Sequence, residues 1–123
     1  MAFLENFNYF MPTMIISGPG ALGRLAKELS RLGVIKLCLV TDSGIAKAGL
    51  VDQVLEAVNP SGIPVSVFDG VVANPLIETI ETAWGFFQQE QCDAVIALGG
   101  GSSMDVGKSL GILATNGGSI EHY

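Results

Sequence analysis

The sequence predicts an α/β fold, Rossmann-like, with a mainly parallel sheet flanked by helices. Two observations carry this. Strand-like and helix-like patterns alternate along the chain, and the Ala94 to Leu98 run is continuously apolar rather than alternating. Alternation of this kind builds βαβ units. Continuous apolar runs belong to strands covered on both faces.

Each element follows in order. Thr13 to Ile16 is a candidate N-terminal edge strand, because Pro12 opens it and proline is confined to edges. Leu22, Leu25, Ala26, Leu29 and Leu32 recur at helical spacing, with Arg24, Lys27, Glu28 and Arg31 on the opposite face. Gly33 stops that helix. Lys36 to Thr41 reads as a buried strand. Leu50, Val51, Val54, Leu55 and Val58 form a second helix, ended by Asn59-Pro60. Val65 to Phe68 is a second strand. Asn74-Pro75 reads as a helix start, since Asn suits the N-cap and Pro the first helical position. Ile77, Ile80, Trp84 and Phe87 line the inner face of that third helix. Ala94 to Leu98 has the pattern of a central parallel strand. The last helix turns Val106, Leu110, Leu113 and Ala114 inward and ends at Asn116-Gly117-Gly118.

Size and charge narrow the class. A chain of 123 residues is one ordinary domain, so residues 1–123 are expected to be a single unit. Hydrophobic residues at 49% against 15% charged exclude intrinsic disorder. A net charge of -6 with no basic stripe excludes a nucleic-acid binder. No apolar run approaches the ~18 residues of a membrane span. The N-terminus lacks the positive segment of a signal peptide. Cys38 and Cys92 form no C-x-x-C pair and sit among apolar neighbours. They read as reduced, buried thiols, which suits a cytoplasmic protein. Phe3, Phe7, Tyr9 and Phe10 are four of the nine aromatics. An arm this apolar either folds back on its own domain or crosses to another subunit.

Glycine is the outlier: sixteen in 123 residues is nearly twice the usual share. Two loops compete for a phosphate. Gly18-Pro19-Gly20-Ala21-Leu22-Gly23 matches G-x-G-x-x-G, and Asp42 follows on the next strand end. Pro19 removes an amide donor there, and a plain turn into the helix is the preferred reading. Gly99-Gly100-Gly101-Ser102-Ser103-Met104-Asp105 follows the most strand-like run and opens a helix at once. Three glycines let backbone approach a diphosphate without a Cβ in the way. The helix N-terminus supplies unpaired amides and a positive dipole end. Ser102 and Ser103 have no nearby base, so they are phosphate donors or caps rather than nucleophiles.

The Gly-Gly-Gly-Ser-x-x-Asp segment, with Lys108 and then Asn116 to Glu121, resembles the iron-dependent (group III) alcohol dehydrogenases. The Gly18-x-Gly-Ala, Val40-Thr41-Asp42 and Asn74-Pro75 elements match the same family in the same order. The superfamily also includes glycerol dehydrogenase and dehydroquinate synthase. The chain departs from the pattern at Gly107, where the family usually has Ala.

The resemblance implies reversible hydride transfer between an alcohol and NAD. Gly99, Gly100, Gly101 and Ser102 would cradle the cofactor diphosphate. Asp42 would face the adenosine ribose, favouring NAD over NADP, unless it is only a turn or cap residue. Asn74 would stand near the nicotinamide, cap a helix, or do both. Asp105 closes the motif and is expected to bond loop amides or Lys108, or to serve as a first-turn acid.

The resemblance also implies a divalent metal, Fe2+ or Zn2+, held by one Asp and three His in a second, helical domain. Those ligands are absent here: His122 is the one histidine and reads as a loop residue. No catalytic residue is therefore expected in this chain, and no metal ligand. It reads as a nucleotide-binding domain, truncated, cleaved or encoded short, that joins a homodimer through its N-terminal segment. A stand-alone, non-catalytic nucleotide-binding module is the alternative, as is a glycerol dehydrogenase or dehydroquinate synthase relative.

Overall fold

The computed structural model describes residues 8–74 and 77–123. Three parallel strands form the sheet: β1 (Leu37–Val40), β2 (Val65–Phe68) and β3 (Ala94–Ala97). Their order is β2-β1-β3. Among the described residues five α-helices accompany them: α1 (Leu25–Arg31), α2 (Ser43–Lys47), α3 (Leu50–Val58), α4 (Ile77–Gln89) and α5 (Gly101–Asn116).

All four residues of β1 are fully buried. Because side chains alternate across a strand, they divide between two cores. Leu37 and Leu39 meet Leu29 of α1 and Val51, Val54 and Val58 of α3. Cys38 and Val40 meet Ala83 and Phe87 of α4, and Val106 and Leu110 of α5. Helices therefore cover both faces, as the continuous apolar run predicts.

Some expectations are corrected. Thr13 to Ile16 forms no strand and pairs with neither edge of the sheet. The run at Ala94 to Leu98 lies at one edge of the sheet, and β1 holds the centre. A continuous apolar run reports cover on two faces, which an edge strand between two helix layers also has. Ile77 and Ala114 are exposed rather than inward. Helix α2 was not anticipated, because five residues carry too little periodicity to register.

The helix stops follow glycine chemistry. Gly33 closes α1 with a left-handed φ of 72°, and its N–H donates to the Ser30 carbonyl. Asn74 also has a positive φ, 51°, and an N-cap residue is normally extended. The expected cap at Asn74 is thus not formed in the usual way, and Pro75 lies outside the described residues. Phe3 and Phe7 also lie outside them. Tyr9 and Phe10 are exposed by 75% and 86%, so this part of the arm is not folded into the core.

Both cysteines are free thiols in or against the α4–α5 core. Burial pushes the Cys38 thiol up to about 12, with the neighbouring Cys92 adding to the effect. A thiol held protonated is a poor nucleophile, which matches a packing role.

Gly107 is buried where α5 packs on β3. A Cβ built there would stand 2.9 Å from the Cβ of Ala97, so its absence lets α5 lie close on β3. Gly107→Ala is expected to overpack this contact at a cost of ~1–3 kcal/mol. Better helix propensity returns about 1 kcal/mol. Urea unfolding should therefore show a net loss, and the same substitution in an Ala97→Gly background should be neutral or stabilising.

Candidate functional site

The three strands end in register: Val40 pairs with Phe68 on one side and with Ala97 on the other. The chain leaving each strand builds one wall of a cleft. The first wall is Asp42, the second Val71, Val72 and Ala73, and the third Gly100 to Ser103. The space between them is about 270 Å³. With β1 flanked by β2 and β3, successive connections run to opposite sides of it. Ligands of open parallel sheets bind at such a switch point, beyond the carboxyl ends of the strands.

Asp42 leaves β1 in an extended conformation and caps α2, its Oδ1 accepting from the Ile45 N–H at 2.8 Å. Capping and cleft-lining are therefore compatible roles for one carboxylate. Its second oxygen makes no hydrogen bond within the described residues.

Gly99 has a φ of 136°, a region that L side chains rarely adopt. A Cβ there would also stand 3.1 Å from Ser103 Oγ. Gly100 is the N-cap of α5, extended, with no side chain bonded to the first-turn amides. Those N–H groups are the usual orphans of a helix start. Sixteen residues of α5 stand behind them, so the positive end of the dipole faces the cleft. An uncapped start, reached over three glycines, fits a diphosphate. Ser103 is buried against this loop, and Ser102 is half-buried.

Not every expected site residue joins the cleft. Asp42, Gly100, Gly101 and Ser102 line it, whereas Gly99, one residue before, is not among the lining residues. Asn74 is exposed, next along the chain from Ala73. Asp105 is exposed on α5, outside the lining residues. Its side chain bonds neither Lys108 nor the loop amides within the described residues, its backbone carbonyl accepts from Ser109 Oγ, and it stands beyond the first turn of α5, which holds no acidic residue. The wall at Val71 to Ala73 was missed, since an apolar loop carries no motif. Its position after a parallel strand was the available signal.

The competing loop at Gly18 to Gly23 is a turn. The Ala21 N–H donates to the Gly18 carbonyl and the Gly23 N–H to the Gly20 carbonyl, so these amides are already used. A groove of about 610 Å³ beside it is larger than the cleft. It lies along the side of α1, and Arg24, Glu28 and Arg31 line it together with apolar side chains.

Among the described residues, no group of three or more His, Cys, Asp or Glu side chains could hold a metal ion. His122 lies in a short 3-10 turn near the C-terminus. The described residues do not fit a metal.

A family profile described as iron-containing alcohol dehydrogenase matches residues 12–123. The chain belongs to the iron-containing alcohol dehydrogenase family. Within that family it is similar to choline dehydrogenase of Bacillus subtilis strain 168, at 40% identity over 98% of this chain and 30% of the relative. The crystal structure of a 1,3-propanediol oxidoreductase superposes with a TM-score of 0.90 at 39% identity, covering 97% of this chain and 31% of that one. Sulfoacetaldehyde reductase from Bifidobacterium kashiwanohense, solved in complex with NAD+, superposes with a TM-score of 0.84 at 26% identity, covering 96% of this chain and 31% of that one. The chain thus spans about a third of the length of the iron-containing alcohol dehydrogenases it matches. It corresponds to an N-terminal part of them.

Proposed function

We propose that residues 1–123 are the dinucleotide-binding domain of an NAD-dependent alcohol dehydrogenase acting on a small alcohol or aldehyde. The observation that carries this is the cleft between Asp42 and the uncapped start of α5. The diphosphate lies over Gly99, Gly100 and Gly101, with Ser102 donating a hydroxyl. The adenosine ribose meets Asp42, whose second oxygen accepts from the 2'-hydroxyl and repels a 2'-phosphate. Asn74 stands toward the nicotinamide. When bound, NAD supplies the hydride acceptor. The chain's own residues bind and orient it.

Iron, as the family description states it, serves the reaction from ligands outside the described residues. The protein works as a homodimer joined through the N-terminal segment, supported by the exposed Tyr9, Phe10, Met11, Met14 and Ile15. A cytoplasmic setting is supported by two free thiols. No helix among the described residues is long and apolar enough to cross a membrane.

Calorimetric titration of the full chain tests the reading. NAD is expected to bind, with NADP weaker by roughly tenfold or more. Asp42→Asn keeps an oxygen to cap α2, so the melting temperature should stay within a few degrees. It removes the charge, so the preference for NAD should collapse. Absence of NAD binding, or equal binding of NADP by the parent chain, refutes the assignment.

A further inference from the structure

We propose that Thr41 is a positioning residue for the dinucleotide cleft, its buried hydroxyl holding the glycine loop at the correct distance from Asp42. The inference rests on the NAD-binding reading above and deepens it.

Thr41 is fully buried. Its Oγ1 donates to the Leu98 carbonyl at 2.7 Å. Its N–H donates to the Phe68 carbonyl at 2.8 Å, and its own carbonyl accepts from the Val71 N–H at 3.3 Å. One residue is thereby tied to all three walls. It precedes Asp42 directly, Leu98 precedes Gly99 directly, and Val71 opens the second wall.

The glycine loop needs such an anchor. Three glycines in succession have the greatest backbone freedom of any tripeptide. Their own sterics cannot select the φ of 136° at Gly99 or the extended Gly100. The loop must be held from its two ends. On one side α5 holds it. On the other, the Leu98 N–H donates to the Val40 carbonyl, and the Leu98 carbonyl accepts from Thr41. The first of these bonds is backbone and forms with almost any residue. The second is specified by the side chain at position 41. Without the hydroxyl, the Leu98 carbonyl loses its donor in a partly buried place. The loop can then relax by turning that peptide, which moves the amides that would meet the diphosphate. Positioning of this kind acts on ligand affinity, because errors near an ångström weaken preorganised contacts.

The test compares Thr41→Val, which keeps the shape and removes the hydroxyl, with Thr41→Ser, which keeps the hydroxyl and removes a methyl. NAD affinity of the full chain is measured by calorimetry well below each variant's melting temperature. Thr41→Val is expected to bind NAD roughly tenfold more weakly, and Thr41→Ser to return to within about threefold of the parent. Should Thr41→Val fail to fold, Thr41→Cys replaces it. Its weak thiol donor should give an intermediate affinity. Parental affinity in Thr41→Val or Thr41→Cys overturns the inference, even if the melting temperature falls. So does a Thr41→Ser variant as weak as Thr41→Val, since packing rather than the hydroxyl would then be responsible. If the parent chain itself binds no NAD, the NAD-binding reading fails and this inference falls with it.

Discussion

Gly100→Asp is expected to weaken NAD binding by more than about a hundredfold while leaving the fold intact or slightly more stable. Gly100 is the N-cap of α5, and a Cβ there meets nothing within 4 Å. Its φ of -88° is open to any L residue. Aspartate at an N-cap accepts from the second or third helical amide and is among the best capping residues. The new carboxylate therefore takes the donors proposed for the diphosphate, and it repels the diphosphate as well. Two effects that normally travel together are separated: stability rises or holds while affinity is lost. Gly100→Ala adds only a methyl group and should fold normally, with a much smaller loss of affinity. Thermal melting and NAD titration of the two variants check this. Parental affinity in Gly100→Asp places the diphosphate elsewhere.

The second large effect is on the fold. Leu39→Ala is expected to cost about 2–5 kcal/mol, the range for truncating a large buried aliphatic side chain. Leu39 has no exposed surface and faces the cluster formed with α1 and α3. Domains are typically stable by only ~5–15 kcal/mol, so a large part of the total would disappear. Leu32→Ala is the control. Leu32 is equally hydrophobic but 65% exposed, and its loss should stay within about 0.5 kcal/mol. Urea unfolding should show a fall in midpoint for Leu39→Ala at unchanged slope, and almost none for Leu32→Ala. Comparable midpoints would mean that β1 is not the packing centre.

Much of this architecture was legible in the residues. The helix over Leu50–Val58 and the strand over Val65–Phe68 fall where spacing and apolar runs predict them. Both are local patterns, set by periods of 3.6 and 2 residues. The glycine triplet also announced itself, since no turn needs three glycines to close. Local chemistry also favours the second glycine loop over the first. Pro19 removes one donor in the first loop, and internal hydrogen bonds use others.

Other features were not legible, for a common reason. Strand order depends on pairing between segments far apart in the chain, and a continuous apolar run looks alike at the centre and at the edge. Thus Ala94 to Leu98 read as central although β1 is. Asp105 matched the motif, yet the helix carries it away from the cleft. Val71 to Ala73 had no polar residue to draw notice. The hydroxyl of Thr41 reaches a carbonyl 57 positions away, a contact that no local pattern records.

By itself the sequence determined the α/β class, most of the helices and strands, and the glycine loop, because steric preference and apolar periodicity act over a few residues. Only the tertiary structure decided which strand is central, which walls meet at the cleft, and which side chains turn toward it. Those depend on parallel pairing and on burial against distant segments, and neither is encoded within one turn of helix or one strand.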